Sequence, residues 1–151
     1  MIKISNARCL TFAVIISIFL MFSGCGKEQV GDKVCNLEVE CISVLENKAD
    51  LKAEKEEIIP KDGYFIKSQD VYFSEGESVM DLLMREMREE KIPLEKSGNY
   101  VSGINNLYAG DCGEMSGWVY MVNGESPTVD MANYKLKEGD KILVKFICSW
   151  E

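Results

Sequence analysis

The chain has 151 residues, with 17 Lys and Arg, 25 Asp and Glu and no His, so its formal net charge is −8. This acidic balance excludes charge-driven binding to nucleic acid or to anionic lipid. The absence of histidine removes the commonest general base and the usual partner of a nucleophilic Ser or Cys. The length fits one domain with a buried core.

The N-terminal residues have the pattern of a bacterial lipoprotein signal. Lys3 and Arg8 precede an apolar run over residues 9–22, which is short for a bilayer span but suits a secretory signal. The run ends at FSGC, which resembles the lipobox, whose cysteine is lipidated and becomes the first mature residue. We therefore predict a lipoprotein signal peptide over residues 1–24, lipidation of Cys25 and a location at the extracellular face of the cell membrane. An uncleaved single-pass anchor is the alternative.

Residues 25–34 are polar and contain two glycines, which predicts a short tether before a folded domain over residues 35–151. Processing before Cys25 leaves 15 Lys and Arg against 25 Asp and Glu, a net charge of −10. The domain keeps four cysteines, Cys35, Cys41, Cys112 and Cys148. An even number in an exported chain predicts two disulfides, with buried free thiols as the alternative. The spacing fits no zinc site, so no metal is expected.

The predicted elements begin with a strand over residues 35–45, in which apolar and polar residues alternate. Residues 45–57 are dense in charge and fit either a solvated helix or a loose excursion. Pro60, Asp62 and Gly63 mark a turn. Residues 64–73 are predicted to form a second strand or extended pair.

The clearest element is an amphipathic helix that begins after Ser78. This serine has the side chain of an N-cap, and Asp81 follows three residues later, as in a capping box. Apolar residues then recur at helical spacing, at Val79, Leu82, Leu83 and Met87. Pro93 bars continuation of the helix.

Three more strands are predicted, over residues 100–104, 118–122 and 141–148. The dipeptide Asn123-Gly124 predicts a type I′ hairpin turn, because both central positions of that turn need positive φ. The order is β-β-α-β-β-β. One amphipathic helix packed on one mixed sheet predicts an α+β fold of β-grasp type.

Four stretches in this order resemble the transcobalamin-like C-terminal domain family, a small β-grasp family of exported proteins of Gram-positive anaerobes. They are GESVMDLL, YVSGINNL, DCGEMSGWVYMVNG and YKLKEGDKI. The resemblance covers nearly the whole mature chain. It implies the soluble-ligand-binding β-grasp class, whose animal relatives form the smaller of two domains that sandwich cobalamin; the larger helical domain has no counterpart in this chain.

Carried over from the family, the candidate ligand contacts are Asn106, Leu107, Tyr108, Gly117, Trp118, Val119 and Tyr120. The resemblance implies a surface-anchored, non-enzymatic module that binds cobalamin or a related corrinoid, with no intrinsic cofactor. The alternative is a domain that docks on a transporter or envelope protein and has no small-molecule ligand. We expect no catalytic site, and Asp111 and Glu114 are interpreted as acids of a solvated loop.

Trp118 has two interpretations. On a strand, Trp118, Tyr120 and Val122 share one face, and Val119 and Met121 share the other. One of the two faces must cover the helix, and a buried indole contributes strongly to a small core. We favour core packing for Trp118 over ligand contact.

The β-grasp arrangement also bears on the disulfides. Cys35 and Cys41 lie about 20 Å apart on a continuous strand, and a disulfide needs Cα atoms about 5.5 Å apart. In this fold the first and last strands run parallel and side by side, so we predict the pairs Cys41–Cys148 and Cys35–Cys112.

Overall fold

The computed structural model describes residues 31–149, and its main feature is a four-stranded mixed sheet in the order β2-β1-β7-β6. The strands are β1 (Lys33–Glu40), β2 (Tyr64–Phe73), β6 (Gly117–Val122) and β7 (Lys141–Ile147). The first and last strands pair in parallel, from Asn36 opposite Lys141 to Glu40 opposite Lys145. The prediction that these two strands run side by side in parallel is therefore confirmed.

One face of this sheet is covered by the helix α2 (Val79–Glu89). Ser78 and Asp81 form the predicted capping box: the Ser78 hydroxyl accepts the Asp81 N–H at 3.1 Å, and the Asp81 carboxylate accepts the Ser78 N–H at 3.2 Å. The apolar helix residues are buried against Leu37, Val144 and their neighbours on the sheet. The predicted α+β class is confirmed.

The chain also forms a second, three-stranded sheet that the sequence did not predict. It consists of β3 (Leu94–Ser97), β4 (Tyr100–Ile104) and β5 (Leu107–Tyr108), in the order β3-β4-β5. Only β4 was expected. The expectation of one sheet is therefore wrong. The sequence gives no sign of β3 or β5, because β3 is mostly exposed and β5 has only two residues, so neither shows an alternation of apolar and polar residues.

The first strand is shorter than predicted and is followed by a second helix. β1 begins at Lys33, within the residues assigned to the tether, and ends at Glu40. The chain then forms α1 (Ile42–Glu46) instead of continuing as a strand to residue 45. The turn is fixed by the Cys41 N–H, which bonds the Gly63 carbonyl at 2.7 Å. Two 3₁₀ helices follow, Lys48–Asp50 and Ala53–Ile58.

The disulfide pairing differs from the prediction. Cys112 is bonded to Cys148, with Cα atoms 5.2 Å apart, and Cys35 and Cys41 are buried free thiols. The predicted pairs Cys41–Cys148 and Cys35–Cys112 are wrong. The pairing of β1 with β7 ends at Glu40 opposite Lys145, and the chain then turns into α1. β7 continues beyond Lys145, and Cys148 reaches the loop that holds Cys112. Burial raises the pKa of each free thiol to about 12.

The predicted signal peptide and Cys25 lie outside the described residues. Within residues 31–149, no helix is long and apolar enough to cross a membrane.

Candidate functional site

The hairpin between β4 and β5 presents the first three candidate residues. Asn105 and Asn106 occupy its turn in the left-handed region, with φ of 50° and 63°, which asparagine tolerates better than most residues. This turn leaves Asn106 exposed at the tip and buries Leu107 completely. Tyr108 lies between these extremes and is half-buried. The hairpin therefore offers the Asn106 amide and part of the Tyr108 ring to solvent.

Trp118, the second residue of β6, contacts this hairpin. Its indole Nε1–H donates to the Leu107 carbonyl oxygen at 2.9 Å. Its ring lies against Phe146, with centroids 5.2 Å apart, and against Phe65 at 5.9 Å. The indole is half-buried and its polar atom is satisfied, which agrees with the favoured interpretation as a core residue. The same hydrogen bond holds Trp118 beside the hairpin of residues 106–108.

The Tyr108 ring is held in place from two sides. A Cβ atom at Gly103 would lie 2.5 Å from the ring, so only glycine leaves room for it. The Lys55 ammonium lies 4.8 Å from the ring centroid, at cation–π distance. The Tyr108 hydroxyl donates to the Glu95 carboxylate at 2.5 Å, and this hydrogen bond raises the pKa of Tyr108.

Asp111 anchors the loop behind Tyr108. Its buried carboxylate accepts hydrogen bonds from Lys52 Nζ at 2.9 Å and from the Tyr108 N–H at 2.8 Å, and Lys55 Nζ lies at 3.2 Å. Lys55 also donates to the Asn106 carbonyl at 2.7 Å. The interpretation of Asp111 as a solvated acid is wrong, although Glu114 is exposed as expected. Its partners come from residues 52 and 55, and no local sequence pattern indicates that contact.

The charge of Asp111 makes stability depend on pH. Burial alone would raise the pKa of this carboxyl, but the hydrogen bonds from Lys52, the Tyr108 N–H and Lys55 hold it below the ordinary 3.8. Because the folded-state pKa is the lower one, the unfolded chain takes up the proton first as the pH falls. The stabilisation is therefore complete above about pH 4 and is lost as the pH falls through the folded-state pKa.

We expect Asp111→Asn to lower the free energy of unfolding by about 1–3 kcal/mol at pH 7. The difference in free energy of unfolding between the variant and the wild type should be smaller at pH 3 than at pH 7. Urea unfolding at both pH values measures it. Glu114→Gln, in the same loop but exposed, should change little. A difference for Asp111→Asn that is equal at both pH values would contradict the ion-pair assignment.

The remaining candidate residues divide between the two faces of the sheet. Trp118 and Tyr120 lie on the face that covers α2, and the Tyr120 hydroxyl donates to the Val129 carbonyl. Val119 lies on the opposite face, in a groove of about 500 Å³ that is also lined by Met121, Lys145 and α1. The seven candidate residues therefore do not form one lining. The residues that come together are those of the hairpin tip, Gly117 and the accessible part of Trp118.

Gly117 stands at the edge of this surface. A Cβ atom there would make only an ordinary contact, 3.7 Å from the Ala109 side chain, and its φ is not in the left-handed region. Neither packing nor backbone conformation therefore requires glycine at this strand position. Glycine within a strand often marks close approach of a ligand or another backbone.

The described residues contain no group of three or more acidic, cysteine or histidine side chains that could hold a metal ion. The site offers an amide, aromatic rings and backbone, which are groups that bind by shape and hydrogen bonding.

A family of known proteins matches the C-terminal part of the chain. Residues 76–147 match a family described as a domain of unknown function, DUF4430. Among curated proteins the sequence has no match.

Two of the solved structures that match this chain are as follows. One is a protein from Ruminococcus gnavus ATCC 29149 provisionally called metal-binding, with a TM-score of 0.49 and 11% identity over 79% of this chain and 100% of that one. The other is haptocorrin in complex with Cbi, with a TM-score of 0.48 and 11% identity over 83% of this chain. The match spans only 27% of the haptocorrin chain.

Proposed function

We propose that the protein is a surface-anchored, non-enzymatic module that binds a small ligand, and that the ligand is cobalamin or a related corrinoid. Lipid on Cys25 holds the domain at the extracellular face of the membrane, as the N-terminal pattern indicates. The observation that carries the proposal is the hydrogen bond from Trp118 to Leu107, because it brings Trp118 and its neighbour Gly117 beside the hairpin tip at Asn106 and Tyr108.

The chemistry of this surface suits a flat, amide-rich ligand. The Asn106 side chain can donate and accept hydrogen bonds, and the rings of Tyr108 and Trp118 supply apolar contact area. The bare backbone at Gly117 permits close approach. The chain has no histidine, so it cannot supply an imidazole as an axial ligand to cobalt. Recognition therefore rests on shape, apolar contact and hydrogen bonds to the amide side chains of the corrin.

The direct test is calorimetric titration of purified residues 26–151 with cyanocobalamin. We expect saturable binding with one ligand per chain. Absence of heat at about 1 mM ligand, a concentration that detects even weak binding, would refute the proposal for this chain.

Gly117→Ala locates the site, because the fold accommodates the added methyl group while the ligand would meet it. We expect binding to weaken by about tenfold, equivalent to about 1.4 kcal/mol, with an unchanged denaturation midpoint. Asn106→Gly keeps the left-handed turn and removes only the amide, so it should also weaken binding. Lys67→Ala, on the exposed far edge of the sheet, is the control and should bind as the wild type does. Full binding by both site variants would place the ligand elsewhere.

A further inference from the structure

Asn123-Gly124 is the only Asn-Gly dipeptide of the chain, and it stands where the pairing of β6 with β7 ends. The Asn123 N–H donates to the Lys141 carbonyl at 2.9 Å. The side-chain oxygen of Asn123 accepts the Lys141 N–H, also at 2.9 Å, so this side chain adds one hydrogen bond to the ladder of the two strands. Asn123 therefore fastens the end of the strand that carries Gly117 and Trp118.

The amide nitrogen of Asn123 is bonded to a buried carboxylate. Asn123 Nδ2 donates to Asp140 Oδ1 at 3.0 Å, and Asp140 is only 4% exposed. The other carboxylate oxygen, Oδ2, accepts the Lys137 N–H at 3.0 Å and the Tyr134 hydroxyl at 3.4 Å. An ionised carboxylate accepts hydrogen bonds and does not donate them, so this contact requires a donor on the side chain at position 123.

An asparagine before a glycine is open to spontaneous deamidation. The Gly124 nitrogen attacks Cγ of Asn123, the new C–N bond closes a succinimide ring, and the side-chain nitrogen leaves as ammonia with the proton of the Gly124 N–H. Water then opens the ring and leaves an aspartate or an isoaspartate in place of the asparagine. Glycine favours the attack because it has no Cβ atom beside its nitrogen. Here Gly124 is exposed, and its N–H has no hydrogen-bond partner among residues 31–149.

The folded structure restrains the carbon that is attacked. Cγ of Asn123 is held through both of its polar atoms, by the Lys141 N–H on the oxygen and by Asp140 on the nitrogen. A turn of the side chain towards the Gly124 nitrogen breaks these hydrogen bonds and leaves the buried carboxylate without this donor, which costs free energy. Deamidation therefore requires a local opening of this end of the sheet.

We propose that Asn123 is a deamidation site, protected while β6 and β7 are paired, and that its modification unfastens the two strands irreversibly. The aspartate product places a second carboxylate where Asn123 Nδ2 now lies, 3.0 Å from Asp140 Oδ1. Two carboxylates that share a site in this way disfavour each other's ionised form. The isoaspartate product also lengthens the main chain by one carbon within the turn. A chain that stays open thus loses the contact that closes β6, whether or not the domain binds the proposed ligand.

The first measurement follows deamidation by peptide mass spectrometry of residues 26–151, kept at mildly alkaline pH either folded or in guanidinium chloride. We expect the peptide that holds Asn123 to deamidate at least about tenfold faster in the unfolded chain, because the folded chain must open first. Asn36 is the internal control: its amide also donates to an aspartate, Asp70, but Leu37 follows it, so it should stay intact. Equal rates at Asn123 in the two states, or an intact Asn123 in the unfolded chain, would overturn the proposal.

The second measurement tests the consequence with a reciprocal exchange of the two side chains. Asn123→Asp reproduces one product, and we expect it to lower the folding equilibrium constant by about tenfold or more. Combined with Asp140→Asn, the hydrogen bond re-forms in the opposite direction, and the new amide oxygen still accepts the Lys137 N–H. The double variant should therefore recover most of the loss.

Asn36→Asp is the matched control, because it also brings a carboxylate to an aspartate, but Asp70 is exposed, so the loss should be smaller. Urea unfolding followed by circular dichroism measures all four variants and the wild type, with Asp140→Asn alone as the fourth. An Asn123→Asp variant as stable as the wild type would overturn the proposed consequence. A double variant no more stable than Asn123→Asp would do so as well, because the carboxylate pair would then not be the cause of the loss.

Discussion

Trp118→Ala is expected to lower the free energy of unfolding by about 2–4 kcal/mol, less than the usual cost for a fully buried aromatic side chain because the indole is half-buried. The indole contacts both hydrophobic clusters of the domain, the one beneath α2 and the one around the disulfide. Its loss removes the contacts with Phe65 and Phe146 and leaves the Leu107 carbonyl without its donor. The measurement is urea unfolding of residues 26–151 followed by circular dichroism.

Trp118→Phe is the matched control, because it keeps an aromatic ring and removes the indole N–H. We expect it to cost less than the alanine variant, since most of the packing remains. A loss below about 1 kcal/mol for Trp118→Ala would contradict the core assignment. The indole would then be a surface group, and its main role would lie in ligand contact.

Removing the disulfide by Cys112→Ala with Cys148→Ala is expected to lower the free energy of unfolding by about 4 kcal/mol, through the greater freedom of the unfolded chain. The bond joins residues 36 apart in sequence. The closed loop contains β6, its turn and β7, so the effect should concentrate on the strands that carry the candidate site. Urea unfolding of the variant and of the reduced wild type should agree.

Thiol counting distinguishes this pairing from the predicted one. Denatured, unreduced residues 26–151 should show two reactive thiols, from Cys35 and Cys41, whereas two disulfides would leave none. Non-reducing peptide mapping should link the peptides of Cys112 and Cys148. The control Cys41→Ala should retain this link and lose only local packing. A Cys41–Cys148 link would contradict this pairing, because it would require the C-terminal end of β7 to lie beside the C-terminal end of β1 and away from the Cys112 loop.

The elements that could be predicted from sequence are those whose cause is local. Ser78 and Asp81 bond each other within one turn, so α2 begins at the predicted residue. Asn123 and Gly124 have φ of 54° and 85°, as their own conformational preferences require for the predicted turn. The β2 and β4 strands also occur at the predicted residues.

The features that could not be predicted depend on distant contacts. β1 ends where the Cys41 N–H donates to the Gly63 carbonyl, a residue 22 positions further along the chain. Cys41 therefore lies beyond the pairing of β1 with β7 and does not face Cys148. Asp111 is buried because Lys52 and Lys55 lie over it, and that requires the position of a 3₁₀ helix. Both faces of β6 carry apolar residues, so its pattern could not decide which face covers α2. The family resemblance supplied the candidate contacts, and only the three-dimensional arrangement separates Val119 from Trp118.

The parallel pairing of β1 with β7 also determines when the domain can fold. The middle of the sheet joins Asn36 to Lys141, so nearly the whole domain must be available before its two central strands can meet. Such non-local pairings fold slowly, on the order of milliseconds to seconds, because loop closure comes before any gain from contacts. Elements with local contacts, such as α2 and the hairpins of the β3-β4-β5 sheet, can form earlier. If the chain is exported, as we propose, the central pairing of β1 with β7 would have to wait until β7 emerges, so assembly of the sheet would be timed by the completion of translocation.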